Sequence, residues 1–352
     1  MGGPLLAIET SCDDSSAALL DANLHLRSCL VASQVEEHAP FRGVVPEIAG
    51  RSHLRNLPRV VEAALQSAGV GLQDLEAIAV THGPGLIGSL LVGLHFAKGL
   101  ALACGKPLLG VNHIRAHVAA VQLEHRLPEG DALALVVSGG HSHLFRLAGE
   151  RLTLLAKTVD DAAGEAFDKL AKMLGLGFPG GPAVDALARA GDPQRFHFQP
   201  SRFGDGYCHF SFSGLKSQAM RLLEAQPEEF LAQQTRADLC ASFQQAVVDQ
   251  LLDRMDRALL VHRYSCLLLG GGVACNSLLR SRFQHMGASH DLPSLISSPR
   301  FCTDNAAMVG VEGWRLLRQG RLAGLDLAAE PGAAAWDDLC LLRSEGAGNK
   351  RS

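Results

Sequence analysis

Two histidines four residues apart carry the clearest chemical signal in this 352-residue chain: His113 and His117, in Asn112-His-Ile-Arg-Ala-His117. On a helix such a pair lies on one face, a turn apart. Two imidazoles so placed can reach one divalent cation. The same spacing suits two histidines that merely satisfy hydrogen bonds on a partly buried helix, and the pair alone leaves both readings open. A zincin peptidase helix needs Glu directly after its first His as general base. Ile114 stands there and can neither hold nor release a proton, so the pair is no zincin signature.

Four turns add donors. In Glu9-Thr-Ser-Cys-Asp-Asp14, Thr10, Ser11 and the turn's N–H groups can donate to phosphate, and Asp13 can face a cation. Taken alone, that turn reads more simply as an ordinary polar hairpin. Thr81-His-Gly-Pro-Gly-Leu-Ile-Gly88 lets a backbone turn sharply and present the amides of a helix N-terminus. It lacks the Lys-Ser/Thr ending of a P-loop. In Ser138-Gly-Gly-His141, Gly139 and Gly140 allow the backbone to approach an anion closely. Gly270-Gly-Gly-Val-Ala-Cys-Asn276 makes a flat platform for a nucleotide, although tight strand-to-helix turns use glycine routinely.

Strands and helices must hold these turns. Residues 5–8 read as a short buried strand, with return strands at 16–20 and 24–33. A helix over 48–68 carries Arg51, His53, Arg55 and Arg59, a pattern that reads as a solvated face. A strand at 75–80 leads to an apolar helix ending near 103. A strand at 107–111 then hands over to the histidine helix. The opening theme returns as strands at 132–137, 142–147 and 152–158. This repetition predicts two lobes of similar topology, 1–131 and 132–325, with a cleft lined by both turns. Residues 160–235 read as a helical insertion in the second lobe, followed by a long helix to 261. A strand at 266–269 and a helix at 277–285 come next. The last helix, 303–319, is expected to pack back on the first lobe, and 326–352 to be a loose tail.

Hydrophobic residues make up 47% of the chain and charged residues 19%, enough for a sizeable core. The net charge of −4 argues against an indiscriminate polyanion binder. Nine scattered cysteines form no Cys-x-x-Cys pair, which points to a reducing compartment, the cytoplasm. The N-terminus has no basic stretch before its apolar run, so a signal peptide is not expected. The most apolar window, 86–104, contains His95, Lys98 and three glycines and reads as a core helix rather than a membrane span.

Taken together, Ile8-Glu-Thr-Ser-Cys-Asp-Asp14, Gly43-Val-Val-Pro-Glu47, Thr81-His-Gly-Pro-Gly-Leu-Ile-Gly88, His113-xxx-His117, Val137-Ser-Gly-Gly-His141, Gly164-Glu-Ala-Phe-Asp-Lys169, Pro179-Gly-Gly-Pro182, Phe212-Ser-Gly-Leu-Lys216, the Gly270 turn and Cys302-Thr-Asp-Asn-Ala306 resemble the TsaD-type tRNA N6-adenosine threonylcarbamoyltransferases. This universal family was once misnamed as glycoprotein endopeptidases. The resemblance runs in one order over roughly residues 5–320, and the bacterial form is expected because no mitochondrial transit peptide precedes Leu5.

The resemblance implies an α/β, two-lobed actin-like ATPase fold, shared with sugar kinases and heat-shock chaperones, with duplicated ribonuclease-H-like lobes. It implies transfer of a threonylcarbamoyl group from threonylcarbamoyl-AMP to N6 of the adenosine 3′ of the anticodon, in tRNAs reading ANN codons. His113, His117 and Asp304 would hold one iron(II) or zinc ion. Val136, Val137, Ser138, Gly139, Gly140, Asp168, Gly181, Asp185 and Asn276 would line the adenylate site, with ATP or magnesium admitted to the same cleft. The implied partners are tRNA, a paralogous TsaB-like subunit, a TsaE-like ATPase and a TsaC-like synthase that supplies the adenylate, with no membrane.

The chemistry agrees with this pattern. A mixed carbamoyl-phosphate anhydride already carries AMP as a good leaving group, so no protein nucleophile is required. A two-His, one-carboxylate site leaves positions open for substrate oxygens. Ile-Arg-Ala between the histidines differs from the Met-Glu-Gly common in bacterial members, so the surroundings of the metal differ as well. Asp304 has a blander reading, as the N-cap of the last helix. Two rival functions remain in view. One is a nucleotide-gripping scaffold of the same fold, which would bind magnesium through carboxylates and waters rather than histidines. The other is a metallopeptidase, against which Ile114 counts.

Overall fold

The computed structural model describes residues 2–201, 203 and 206–343. The chain opens with β1 (Leu5–Glu9), β2 (Asp14–Leu20) and β3 (Leu26–Ser33). It continues through α1 (Val35–His38), α2 (Pro46–Ala68), β4 (Ala77–Gly83), α3 (Ile87–Cys104), β5 (Leu108–Asn112) and α4 (His113–Ala119). There follow β6 (Ala132–Val137), β7 (Ser142–Ala148), β8 (Arg151–Lys157), α5 (Ala163–Leu174), α6 (Gly180–Ala188), α7 (Ser213–Ala225) and α8 (Gln233–Val261). The last elements are β9 (Cys266–Gly270), α9 (Ser277–Ser289), β10 (Ser294–Ile296), α10 (Pro299–Cys302), α11 (Ala306–Arg318) and β11 (Asp338–Leu339).

These elements form two compact units, Met1–Arg126 with Ser297–Ala335, and Leu127–Ile296 with Trp336–Ser352. The boundary expected at 131 falls at 126, and the last helix packs back on the first unit as expected, taking the whole segment from 297 to 335 with it. The reason is packing. α11 places Met308, Val309, Val311 and Trp314 against Leu5, Ala7, Ala18 and Leu20 of the first sheet.

The first sheet has the order β3-β2-β1-β4-β5, antiparallel through β3, β2 and β1 and parallel from β1 to β5. Successive residues of β1 serve opposite faces. Leu5 and Ala7 face the α11 core, while Leu6 and Ile8 face Leu57, Val61 and Leu94 of α2 and α3. A strand buried on both faces must be apolar throughout, and Leu5 to Ile8 is. The exception is Glu9, fully buried at the end of the strand.

α2 corrects one expectation. His53 does not share a solvated face with Arg51, Arg55 and Arg59; it is fully buried. Its Nδ1 meets Ser15 Oγ at 2.8 Å, and its Nε2 donates to the Cys12 carbonyl at 2.9 Å. α3 is a core helix on one face only. Leu90, Leu94 and Ala97 are buried, while Ile87, Leu91 and Leu102 are exposed.

The second sheet has the order β10-β9-β6-β7-β8-β11. Read from the other edge, β8-β7-β6-β9-β10 repeats β3-β2-β1-β4-β5 strand for strand, with the same antiparallel and parallel pairings. The duplication legible in the hairpins thus extends to both whole sheets.

The tail was expected to be loose from 326. Residues 344–352 lie outside the described residues, but the segment before them is placed. Glu330 N donates to the His82 carbonyl at 2.8 Å, and β11 extends the second sheet beside β8. Trp336 packs against His143, whose ring also stacks on Phe145 with centroids 5.5 Å apart. Burial, aided by the charge of Lys157, pushes His143 down to about 4. The folded ring therefore stays neutral where the unfolded chain already takes a proton. As pH falls from about 6.5 towards 4, the unfolded state binds the extra proton, and stability drops by up to about 3 kcal/mol. Urea midpoints across that range should fall less steeply for His143→Phe than for the parent. Equal slopes would show that His143 does not carry the effect.

Candidate metal centre

Asn112 starts the histidine helix. Its side chain accepts from the N–H groups of Ile114 and Arg115, at 3.0 and 3.2 Å. This cap fixes where β5 ends and α4 begins, and it places His113 on the first turn with His117 one turn on. The two rings sit 4.6 Å apart, nearly perpendicular at 80°. Asp304 meets both: its Oδ1 lies 3.1 Å from His117 Nε2 and 3.6 Å from His113 Nε2. One ligand atom from each of the three residues lies within 4.8 Å of the others. Two ligands about 2.1 Å from a common metal stand roughly 3.0–3.4 Å apart; the 3.1 Å separation lies in that range and the 3.6 Å one just above it, so the trio could hold one ion. The same 3.1 Å admits a hydrogen bond when the ring carries a proton there. Both histidines are buried, while the Asp304 side chain is 22% exposed. Solvent therefore reaches the trio on its carboxylate side.

Asp304 is not the cap of the last helix. That role belongs to Asn305, whose side chain accepts from Met308 N at 3.1 Å. Asp304 lies between α10 and α11, where a helix-capping duty does not explain it.

Glu9 was not singled out from the sequence. Its Oε2 accepts from Thr81 Oγ1 at 2.7 Å and lies 3.1 Å from His113 Nδ1, and its Oε1 accepts from Ser11 N. The available signal was a carboxylate ending a strand buried on both faces, which demands partners. Burial opposes its charge, but the facing His113 holds Glu9 below the usual carboxylate range. Burial likewise opposes a charged His113, yet Asp304 and Glu9 hold it up to about 9. Burial pushes Asp14 up to about 7 against a hydrogen bond from Ser33, with Asp13, Asp304 and Glu9 adding to the rise.

The residues expected around the adenylate all lie in the second unit, and many are tied together. Val136 and Val137 end β6; Ser138, Gly139 and Gly140 form the turn beyond it. Gly164 N donates to the Ser138 carbonyl at 3.2 Å, bringing α5 to that turn. Asp168 on α5 accepts from Gly180 N at 2.7 Å, beside Gly181 at the start of α6. Asp185 on α6 accepts from Ser277 N and Oγ, at 3.1 and 2.7 Å. Its neighbour Asn276 caps α9 through Leu279 N and donates to Gln244 Oε1 at 2.8 Å. Three of these side chains therefore hold the turns in place, a role the motifs alone did not reveal.

A family model described as TsaD, tRNA N6-adenosine threonylcarbamoyltransferase, matches residues 25–311. Relatives carrying the name tRNA N6-adenosine threonylcarbamoyltransferase include one from Geobacter sulfurreducens, 50% identical over 328 residues, with 92% of this chain and 95% of the relative covered. One from Clostridium perfringens is 43% identical, covering 93% of this chain and 96% of the relative. Among solved structures, T. kodakarensis HypF superposes with a TM-score of 0.63 at 15% identity, over 93% of this chain and 50% of that one. Component A of the Acidaminococcus fermentans (R)-2-hydroxyglutaryl-CoA dehydratase gives 0.53 at 12% identity, over 89% and 98%. At such identities these structures speak to fold alone. With the duplicated sheets, the fold is of the α/β actin-like ATPase class.

Proposed function

This chain belongs to the tRNA N6-adenosine threonylcarbamoyltransferase family, and from that premise we propose that it performs metal-assisted transfer through His113, His117 and Asp304. The donor is threonylcarbamoyl-AMP. The acceptor is N6 of the adenosine 3′ of the anticodon in tRNAs that read ANN codons. The observation that carries the metal reading is Asp304 Oδ1 facing both Nε2 atoms while Asn305 takes the capping duty. Iron(II) and zinc both suit two imidazoles and one carboxylate. A cation bound there would polarise the carbamoyl carbonyl as a Lewis acid.

The chain's own residues supply the rest. At Gly139 and Gly140 an added Cβ would meet nothing within 4 Å, which leaves room for the adenylate phosphate beside the exposed turn. Ser138 steadies that turn, its Oγ accepting from His141 N at 3.2 Å. Asp168, Asp185 and Asn276 hold the α6 and α9 starts, so that Gly181 and the Gly270 turn can receive the nucleoside. Asp168→Ala is then expected to lose a helix-start bond, costing about 1 kcal/mol, and to raise KM for the adenylate. Asp168→Asn, which keeps an acceptor for Gly180 N, separates the two roles. An unchanged KM in both variants would remove Asp168 from the substrate site.

Support for a paralogous TsaB-like partner comes from the α2–α3 face. Leu54 is 64% exposed and Leu91 40%, beside a groove lined by Leu57, Pro58 and Phe96. With a net charge of −4, tRNA binding is expected to need that assembly. Leu54→Asp with Leu91→Asp should abolish co-elution with the partner and leave the monomer folded; intact co-elution would place the interface elsewhere. A TsaE-like ATPase and a TsaC-like synthase complete the proposed set, and the cytoplasm is the proposed location. α3 alone among the described residues is long and apolar enough to cross a membrane, and its buried face packs in the first unit's core.

The decisive assay mixes the chain and its partner proteins with unmodified tRNA, threonine, bicarbonate and ATP, and seeks threonylcarbamoyladenosine by mass spectrometry. A nucleotide-gripping scaffold would give none.

A further inference from the structure

We infer that Glu9 is the positioning residue for His113, holding the proton on Nδ1 so that Nε2 is left to face the metal position. The inference rests on the metal reading above and adds to it a residue that no ligand pattern includes. Nε2 is the nitrogen turned towards Asp304, at 3.6 Å, and Nδ1 is turned towards Glu9 Oε2, at 3.1 Å. An ionised carboxylate can only accept, so the proton between them must sit on Nδ1. Ser11 Oγ, also 3.1 Å from Nδ1, could donate or accept and cannot set the tautomer by itself. Glu9 can.

The carboxylate is itself held. Thr81 Oγ1 and Ser11 N donate to its two oxygens, from β4 and from the turn after β1, and the side chain is fully buried. Glu9 thus joins β1, β4 and the first turn of α4 at one point. His117 has no such support: its Nδ1 is buried without a hydrogen-bond partner among the described residues. The orientation of the two-histidine site therefore depends on one side, and Glu9 supplies it. Such outer partners typically strengthen metal affinity by about ten- to a hundredfold.

Metal-stripped parent, His117→Ala and Glu9→Gln proteins are titrated with zinc against a chromophoric chelator. The zinc-loaded forms are compared by proton NMR of their ring N–H signals. The expected result for Glu9→Gln is zinc affinity weakened by about ten- to a hundredfold, with the far-downfield Nδ1–H signal of the parent shifted upfield or lost. If the parent binds zinc no better than His117→Ala, the metal reading fails and takes this one with it. If His117→Ala loses zinc while Glu9→Gln keeps the parent's affinity or its ring signal, the metal site stands and the role given to Glu9 is overturned. Should Glu9→Gln not fold, Thr81→Val decides. It leaves Oε2 to His113 alone, so the Nδ1–H signal must move further downfield, and an unmoved signal overturns the proposal.

Discussion

Replacing Asp304 by Ala is expected to strip the bound metal and cut threonylcarbamoyl transfer about a thousandfold, while the metal-free protein melts close to the parent. A thousandfold corresponds to roughly 4 kcal/mol of barrier, the scale of Lewis-acid assistance. The small change in melting follows from the division of labour at the start of α11. Asn305, not Asp304, satisfies the first turn, so Asn305→Ala is the variant that should lose about 1 kcal/mol. Asp304 instead turns its Oδ1 towards both His113 and His117, as the proposed ligand they would share. Elemental analysis of the purified protein, a melt after chelation and a count of modified nucleosides read the three quantities separately. Retained metal in Asp304→Ala would sink the assignment, and a large loss of stability in the metal-free form would make Asp304 a structural residue.

Gly271→Ala is expected to be strongly destabilising to the second unit. Gly271 has φ +89° and ψ 160°, a region open almost only to glycine, costing about 1–3 kcal/mol for other residues. An added Cβ would also stand 2.2 Å from the Val137 carbonyl oxygen and 2.7 Å from its carbon. Those atoms end β6, which pairs with β9 through Val136 and Gly270. Backbone at the centre of a sheet cannot give way as the end of a side chain can. Strain and clash together should cost about 3 kcal/mol or more, a large share of a typical folding free energy of 5–15 kcal/mol. A lower urea midpoint is the first readout; weaker adenylate binding, from displacement of the turn leading to Asn276, is the second. Gly139→Ala is the control, since a Cβ there meets nothing within 4 Å, and its midpoint should match the parent's. Equal midpoints for both variants would contradict the geometry.

Much of this was legible in the sequence because it depends on local pattern. The repeated hairpins announced two similar sheets, since alternation and turn glycines are short-range signals. The His113–His117 spacing announced a shared helix face. What escaped depends on contacts distant in sequence. Glu9 reads as the end of a strand until Thr81 and His113 are brought to it. His53 reads as one of four polar residues on a helix, yet its position on the inner face makes it a buried link to Ser15 and Cys12. The duties of Asp304 and Asn305 could not be separated, because either type caps a helix well and one residue of register decides. That the last helix packs on the first lobe was expected; that the whole segment 297–335 returns with it depends on which sheet face lacked a cover, and local pattern does not encode that.

The return also sets an order on synthesis. A ribosome has delivered the first 126 residues, with all five strands of the first sheet, long before α11 exists. Until then Leu5, Ala7, Ala18 and Leu20 lack their α11 cover, because Met308, Val311 and Trp314 are still to be translated. The intervening stretch contributes β6 to β10 without interruption and lacks only the edge strand β11 with Trp336, so five of its six strands can pair first although they emerge second. The N-terminal sheet must wait as exposed apolar surface through that whole interval, the condition in which nascent chains are held by chaperones or aggregate. Messages truncated before residue 306 should therefore yield chaperone-bound or insoluble product rather than a folded first unit.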